Sequence, residues 1–246
     1  MTSLSGRAGT SVLALALALV AAAETAAAAP RTITLRTDDG VNIAASLYEA
    51  SRHPAPAVVL LHMLTRSRDD WQGFGNRLAD AGISALAIDL RGHGSSGSGT
   101  VGADGEIDLS RMMLDVTAAS AYLTGRTDLV KPGAIGILGA SVGASLAILE
   151  AAADPAIRSL ALLSPGVEYR TLRVDEAMKK YGERPALLVA ASNDPYALRS
   201  VKRLAAIGGG IRETRTLEGT GHGTVMLARE ADLGRLLVDW FLRTLV

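Results

Sequence analysis

The stretch ILGASVGASLAI, from Ile137 to Ile148, places a serine between two glycines with apolar residues on both sides. The five residues from Gly139 to Gly143 fit the pattern G-x-S-x-G. The apolar run before them predicts a buried strand and the run after them a helix, so Ser141 is expected at a sharp strand-to-helix turn. There the helix N-terminus directs N–H donors at a reacting oxygen. Ser141 is therefore a candidate nucleophile, and the alternative is a serine that only permits close packing.

Strands and helices alternate along the rest of the chain. A hairpin that turns at Asp39-Gly40 comes first. Apolar runs then predict strands at 56–63, 83–90, 134–139, 158–164, 185–192 and 212–219. Periodic segments predict helices at 71–82, 108–123, 142–153, 174–182, 196–207 and 231–246. This alternation predicts an α/β fold with a mostly parallel sheet and helices on both faces. Ligands bind such sheets at the carboxyl ends of the strands, so functional side chains should follow strands directly.

The composition favours one globular domain, which we assign to residues 29–246. The chain has 246 residues and is 48% hydrophobic, which is enough for a full core. Lys+Arg and Asp+Glu both number 25, so no excess charge would attract nucleic acid or anionic lipid. The absence of cysteine and the spacing of the four histidines indicate no metal site and no thiol nucleophile. We expect a small-molecule substrate, no nucleic-acid partner and no cofactor.

The first 28 residues have the pattern of a secretory signal peptide. Arg7 precedes the apolar run SVLALALALVAAA, and the alanines at 26 and 28 provide an A-x-A site for cleavage after Ala28. The alternative is a membrane anchor, but a spanning helix needs about 20 apolar residues. We therefore expect export to the periplasm or the medium and no stable membrane anchoring after cleavage.

A serine hydroxyl needs a base to become a nucleophile, and the base needs an acid to orient it. His222 lies in the glycine-lined segment LEGTGHGTVM after the last predicted strand, whereas the other three histidines precede Ser141. Asp194 follows the strand at 185–192, although an aspartate before a proline can also turn the chain or cap a helix. Glu168, after the preceding strand, is the reserve candidate for the acid.

The oxyanion of such a reaction needs two backbone N–H donors. One is predicted at Val142, directly after the candidate nucleophile, and the other in the loop after the first buried strand, which reads LLHMLTRSRDDW. A competing pattern, G-x-G-x-x-G at 92–97, follows a strand but leads into SSGSGTVGADGE rather than a helix. A dinucleotide site requires that helix, so a glycine loop over the sheet edge is the better interpretation.

These motifs together resemble the α/β-hydrolase superfamily, in particular its small bacterial esterases and dienelactone-hydrolase-like members. The resemblance is carried by LLHM, DLRGHGSS, GASVG, SNDP and GTGHG, in the family order. It implies the α/β-hydrolase fold and a triad of Ser141, Asp194 and His222. It also implies Met63 N–H as the second oxyanion donor and a structural role for His93.

The chain departs from its relatives in ways that bear on specificity. Members commonly have His-Gly where this chain has His62-Met63, and the methionine could narrow the acyl pocket. Dienelactone hydrolases use a cysteine nucleophile, which this chain lacks. The segment PGVEYRTLRVDEAMKKYGERP leads almost directly into the next strand, which predicts a minimal lid. The candidate substrate-binding residues are Leu64, Trp71, Tyr169 and Leu172, with a core position as the alternative for the tryptophan.

The sequence thus predicts an exported serine carboxylic-ester hydrolase that works through an acyl-enzyme and needs no cofactor. Peptidase, amidase or thioesterase activity on the same triad is the first alternative, because the triad itself does not choose the leaving group. A non-catalytic binding protein that kept the hydrolase fold is the second alternative, since a fold alone does not imply function.

Overall fold

The computed structural model describes residue 2, residues 29–98 and residues 108–246. The predicted signal peptide, residues 1–28, lies outside the described residues apart from residue 2, so its cleavage and the export of the protein remain predictions. No helix in the described part of the chain is long and apolar enough to cross a membrane.

Strands and helices alternate as the apolar runs predict. The strands are β1 Arg31–Arg36, β2 Asn42–Tyr48, β3 Ala55–Leu61, β4 Ser84–Ile88, β5 Val130–Ala140, β6 Ile157–Leu163, β7 Glu168–Tyr169, β8 Leu172–Arg173, β9 Ala186–Ala191 and β10 Arg212–Leu217. The helices are α1 Gln72–Asp80, α2 Met112–Gly125, α3 Val142–Ala153, α4 Asp175–Tyr181, α5 Pro195–Ala205, α6 Val225–Arg229 and α7 Leu233–Leu245. Short 3-10 turns at Arg68–Trp71 and Leu109–Arg111 lead into α1 and α2.

Eight of these strands form one sheet in the order β1-β2-β4-β3-β5-β6-β9-β10. The hairpin β1–β2 is antiparallel, with Arg31 opposite Leu47, and β2 pairs antiparallel with β4. The other five neighbouring pairs are parallel. The predicted hairpin and the mostly parallel sheet are therefore confirmed. Parallel strands end at the same edge, which gathers the loops after β3, β4, β5, β6, β9 and β10.

A hydrophobic core lies on each face of the sheet. The core on one face includes buried side chains of α2, α3, α4 and α5. The core on the other face includes buried side chains of α1, α6 and α7. This confirms helices on both faces. The connection from β6 to β9 holds the two-stranded ribbon β7–β8 and the seven-residue helix α4, so little chain is available there to form a lid.

Buried charges fix the loop that follows β4. The Arg91 side chain is fully buried, and its Nε donates to Asp115 Oδ1 at 2.8 Å while an Nη donates to Asp39 Oδ2 at 2.7 Å. Asp89, also buried, forms an ion pair with Arg68 and accepts the Ser95 N–H at 2.8 Å. No helix begins within residues 92–98, so the glycine pattern there forms a tight loop at the sheet edge, as the sequence predicts.

Asp115→Ala should destabilise the protein by about 3–5 kcal/mol. The buried Arg91 guanidinium would lose one of its two carboxylate partners and keep only Asp39. An Arg91→Met, Asp115→Leu double variant should recover much of that loss, since it removes both buried charges together. Urea denaturation of the three proteins measures these differences. An exposed ion pair typically contributes less than about 1 kcal/mol. A loss of that size for Asp115→Ala would show that the buried ion pairs do not stabilise the loop after β4.

Candidate active site

Ser141 occupies a strained turn between β5 and α3. Its φ is 54°, a value that residues other than glycine rarely adopt and that is often found at functional positions. Its N–H donates to the Leu163 carbonyl of β6 at 2.9 Å, and its carbonyl accepts the Ala144 N–H of α3 at 2.9 Å. A Cβ at Gly139 would collide with the Gly143 carbonyl. The turn therefore needs glycine at 139 and places Ser141 at the carboxyl edge, partly exposed.

The first turn of α3 lies against the end of β3. A Cβ at Gly143 would be 2.5 Å from the Leu61 carbonyl oxygen and 2.7 Å from that of His62, so only glycine fits without a shift. The Val142 N–H donates to no acceptor among the residues that the structure describes. The candidate oxyanion donor at Val142 is thus free and lies close to the loop after β3.

That loop carries two further free donors. The Met63 carbonyl accepts the His62 Nδ1–H at 2.8 Å and the Arg66 N–H at 3.3 Å. Because a trans peptide is planar, the Leu64 N–H of the same peptide unit points in the opposite direction. Within the described part of the chain, neither the Met63 N–H nor the Leu64 N–H meets an acceptor. Both are candidates for the second oxyanion donor, whereas the family resemblance implies only Met63.

His62 is a buried, neutral histidine that orients this loop. Its Nε2 accepts the Leu90 N–H at 3.0 Å, so the ring proton belongs on Nδ1, which donates to the Met63 carbonyl. Burial lowers the pKa of His62 to about 4. The ring therefore links the loop after β3 to the loop after β4. This role could not be predicted from the sequence, because it depends on a contact with a residue 28 positions away.

His222 and Asp194 meet at the carboxyl edge. The His222 Nδ1 and the Asp194 Oδ2 are 2.5 Å apart, the geometry of a hydrogen bond from the ring to the carboxylate. The other Asp194 oxygen accepts the Ala197 N–H at 3.1 Å and caps α5. Asp194 thus both caps a helix, the alternative reading from the sequence, and contacts the histidine. Glu168 instead lies on β7 and pairs with Arg173 at 3.5 Å.

The residue after His222 brings its loop close to Ser141. A Cβ at Gly223 would be 3.7 Å from the Cβ of Ala140, which precedes Ser141, and would collide with the Met63 sulfur. The Thr224 hydroxyl donates to the Asp70 carboxylate, which also accepts from the Arg66 guanidinium at 2.8 Å. The Met63 side chain therefore packs against the His222 loop. Its effect on an acyl pocket stays a prediction.

The four candidate substrate-binding residues differ in burial. Leu64 packs at the margin of the core on the α3 side, and Tyr169 is 39% exposed on β7. Leu172 is buried on β8. Trp71 is 0% exposed and packs near Phe74 in the core on the α1 side, so its assignment to the entrance is wrong and the core alternative holds. The described residues contain no cluster of three or more His, Asp or Glu side chains arranged for a metal ion.

The family of the chain follows from a comparison with known families. The family model described as serine aminopeptidase, S33 matches residues 52–205, more than half of the chain. The chain belongs to this α/β-hydrolase family. The matched segment includes Ser141 and Asp194 and ends before His222.

Individual relatives agree with this membership. The rat (Rattus norvegicus) protein named "Putative protein-lysine deacylase ABHD14B" is 28% identical over 170 residues, which cover 68% of this chain and 74% of the relative. The esterase Pf2001 of Pyrococcus furiosus superposes with a TM-score of 0.72 at 17% identity, over 88% of this chain and 93% of that one. A dienelactone hydrolase of Anabaena variabilis superposes with a TM-score of 0.68 at 18% identity, over 89% and 100%. The two solved structures support the fold.

Gly223→Ala should destabilise the protein by about 1–3 kcal/mol more than Gly219→Ala, because it adds a collision to the same backbone strain. Both glycines have a φ near +60°, but a Cβ at Gly219 would meet no atom within 4 Å. Adding Met63→Ala removes the colliding sulfur, so it should raise the free energy of unfolding of the Gly223→Ala variant by about that extra loss. The same addition should give no such gain in the Gly219→Ala variant. Urea denaturation of all four proteins tests this, and equal losses at the two glycines would contradict the Met63 contact.

His62 should make the folded state weaken as the pH falls from about 6.5 to about 4. Its pKa is lower in the folded state than in the unfolded chain, so the unfolded chain binds the proton first and gains stability over that range. The shift corresponds to about 3 kcal/mol. Denaturation curves at pH 7 and pH 4 give the free energy of unfolding at each pH. Between them wild type should lose about 3 kcal/mol more than the His62→Gln variant. Equal pH dependence in the two proteins would exclude the buried neutral ring.

Proposed function

We propose that this protein is a serine hydrolase that cleaves carboxylic esters through an acyl-enzyme, with Ser141 as nucleophile, His222 as base and Asp194 as acid. The observation that carries the proposal is the 2.5 Å contact between His222 Nδ1 and Asp194 Oδ2, in a loop whose next residue lies beside Ala140. The strained turn at Ser141 supports it, because strain of this kind persists where the surrounding fold enforces it.

In the proposed reaction His222 Nε2 takes the proton of the Ser141 hydroxyl while the serine oxygen attacks the ester carbonyl carbon. Asp194 keeps the ring proton on Nδ1 and stabilises the imidazolium. The tetrahedral intermediate then collapses, and His222 returns the proton to the departing alcohol. Water, activated by His222, attacks the acyl-serine, and the carboxylic acid leaves as Ser141 regains its proton.

We assign the binding of the oxyanion to two backbone N–H groups. One is the Val142 N–H, and the other comes from the loop after β3, where the Met63 N–H and the Leu64 N–H are both candidates. A single donor of this kind contributes about 10²–10³ in rate when it is held in place before the reaction. The His62 ring provides that fixation, because it holds the Met63 carbonyl from a buried position. The proposal needs no cofactor, since each proton and charge is handled by side chains or amides of this chain.

Access of a small soluble substrate to the site is supported by the exposure of the base. The His222 side chain is 47% exposed, and the short β6–β9 connection leaves little to cover it, so a small soluble ester can reach the edge. Amide cleavage is the second candidate, because the matching family is described as a serine aminopeptidase and the rat relative is named as a protein-lysine deacylase. The signal-peptide pattern of residues 1–28 supports export, so we expect the proposed activity in the periplasm or outside the cell.

Kinetics with p-nitrophenyl acetate test the proposal. Ser141→Ala and His222→Ala should each lower kcat by about 10⁶, and Asp194→Asn by about 10⁴, because these groups act as a unit. Glu168→Gln is the matched control, since that carboxylate lies on the ribbon, and it should turn over like wild type. A loss in Glu168→Gln without one in Asp194→Asn would overturn the choice of acid. No turnover of any ester or amide by wild type would favour a binding protein.

A substrate panel separates the bond types. Matched acetyl derivatives of a phenol, a thiol and a lysine-containing peptide should rank the ester first in kcat/KM. A higher kcat/KM for the acetyl-lysine peptide would replace the ester with an amide and leave the assigned triad unchanged.

A further inference from the structure

Ser164 is a buried serine in an unusual backbone conformation at the end of β6. Its φ is 48°, in the left-handed region that favours glycine, and its side chain is almost fully buried. Its N–H donates to the Val189 carbonyl of β9 at 2.8 Å. A neighbouring strand therefore holds the residue at the same carboxyl edge as the site. From sequence alone it reads as the last residue of a strand.

The hydroxyl of Ser164 binds the loop that carries the base. Its Oγ accepts the Gly223 N–H at 3.0 Å, and both atoms are buried. The residue before it in the chain, Leu163, accepts the Ser141 N–H through its carbonyl at 2.9 Å. Two consecutive residues at the end of β6 thus contact the nucleophile turn on one side and the His222 loop on the other.

The His222 loop needs the hydrogen bond to Ser164 because its glycine-rich backbone can adopt many conformations. Gly219, Gly221 and Gly223 all have positive φ, and glycine restricts the chain less than any other residue. Two other bonds from the loop, Gly219 N–H to Ser192 Oγ and Gly221 N–H to Asn193 Oδ1, lie at the exposed surface. A hydrogen bond to a fixed, buried acceptor restrains the loop more firmly than bonds that water can replace.

We infer that Ser164 is a positioning residue that sets the distance between Ser141 and His222. The inference rests on the proposed function, because it assigns His222 as the base. Leu163 and Ser164 are joined by one rigid peptide unit, so the bonds that they make fix the two loops relative to each other. Misplacing a catalytic group by about 1 Å can cost about 10² in rate, which sets the expected effect.

The first test compares substitutions at Ser164 with a matched buried serine. Ser164→Ala should lower kcat for p-nitrophenyl acetate by about 10–100-fold with little change in KM, since the base moves and the binding surface does not. Ser164→Gly also lacks the hydroxyl but relieves the backbone strain, so it should lose as much activity while unfolding at a higher temperature than the alanine variant. Recovery of wild-type kcat in Ser164→Gly would show that only the backbone matters.

Ser159→Ala is the control, because Ser159 is a buried serine on β6 whose hydroxyl accepts from Thr244 at 2.8 Å. Ser159 lies near the amino end of that strand, and its loss should lower the unfolding temperature without changing kcat. If Ser164→Ala lowers kcat no more than Ser159→Ala does, Ser164 has no positioning role.

A double-mutant cycle shows whether the effect passes through the base. In a His222→Ala background, Ser164→Ala should change the residual rate by less than about twofold, because there is no ring left to position. The same loss in both backgrounds would overturn the inference.

Hydrogen exchange at the Gly223 amide gives a readout without catalysis, and Ser164→Ala should raise its exchange rate at least about tenfold. Wild type that hydrolyses nothing but protects this amide would refute the proposed function alone, whereas an amide unprotected in wild type would refute the positioning.

Discussion

The close approach of α3 to the end of β3 is the constraint on which the site depends. Glycine at 139 and 143 allows it, since a Cβ at Gly143 would be 2.5 Å from the Leu61 carbonyl oxygen. The approach brings the free Val142 N–H beside the loop after β3 and leaves Ser141 at the corner of a turn that β6 also holds. A Cβ at Gly139 would collide with the Gly143 backbone and a Cβ at Gly143 with the end of β3, so side chains at these positions would force the elements apart.

Buried polar groups then hold the loops at that edge, and they do so in two different ways. His62 stays neutral because burial lowers its pKa to about 4, and both ring nitrogens bond to backbone groups. Arg91 stays charged because two carboxylates surround it. Each group has partners for most of its polar atoms, as burial of polar groups requires. Since a domain of this kind is stable by about 5–15 kcal/mol, losing either arrangement would be a large fraction of the total.

The sequence predicted the parts of the molecule that follow from local pattern. The residues of α3 were predicted at 142–153 and lie there, because an apolar helix follows a glycine turn. His222 and Asp194 were predicted together from chain order, and they are in contact. Trp71 was misplaced because its burial depends on a core that brings together residues far apart in the sequence. The ribbon β7–β8, the five-residue α6 and the contact between Ser164 and Gly223 gave no signal, since they are too short for periodicity or depend on residues far apart.

Covalent labelling is the most direct test of the proposal that Ser141 is a nucleophile activated by His222. Intact-mass spectrometry of the folded protein after exposure to a fluorophosphonate, followed by peptide mapping, locates the reacting residue. We expect one adduct, on Ser141, which forms far more slowly in the His222→Ala variant. An unlabelled Ser141 in folded wild-type protein, or labelling that does not depend on His222, would contradict it.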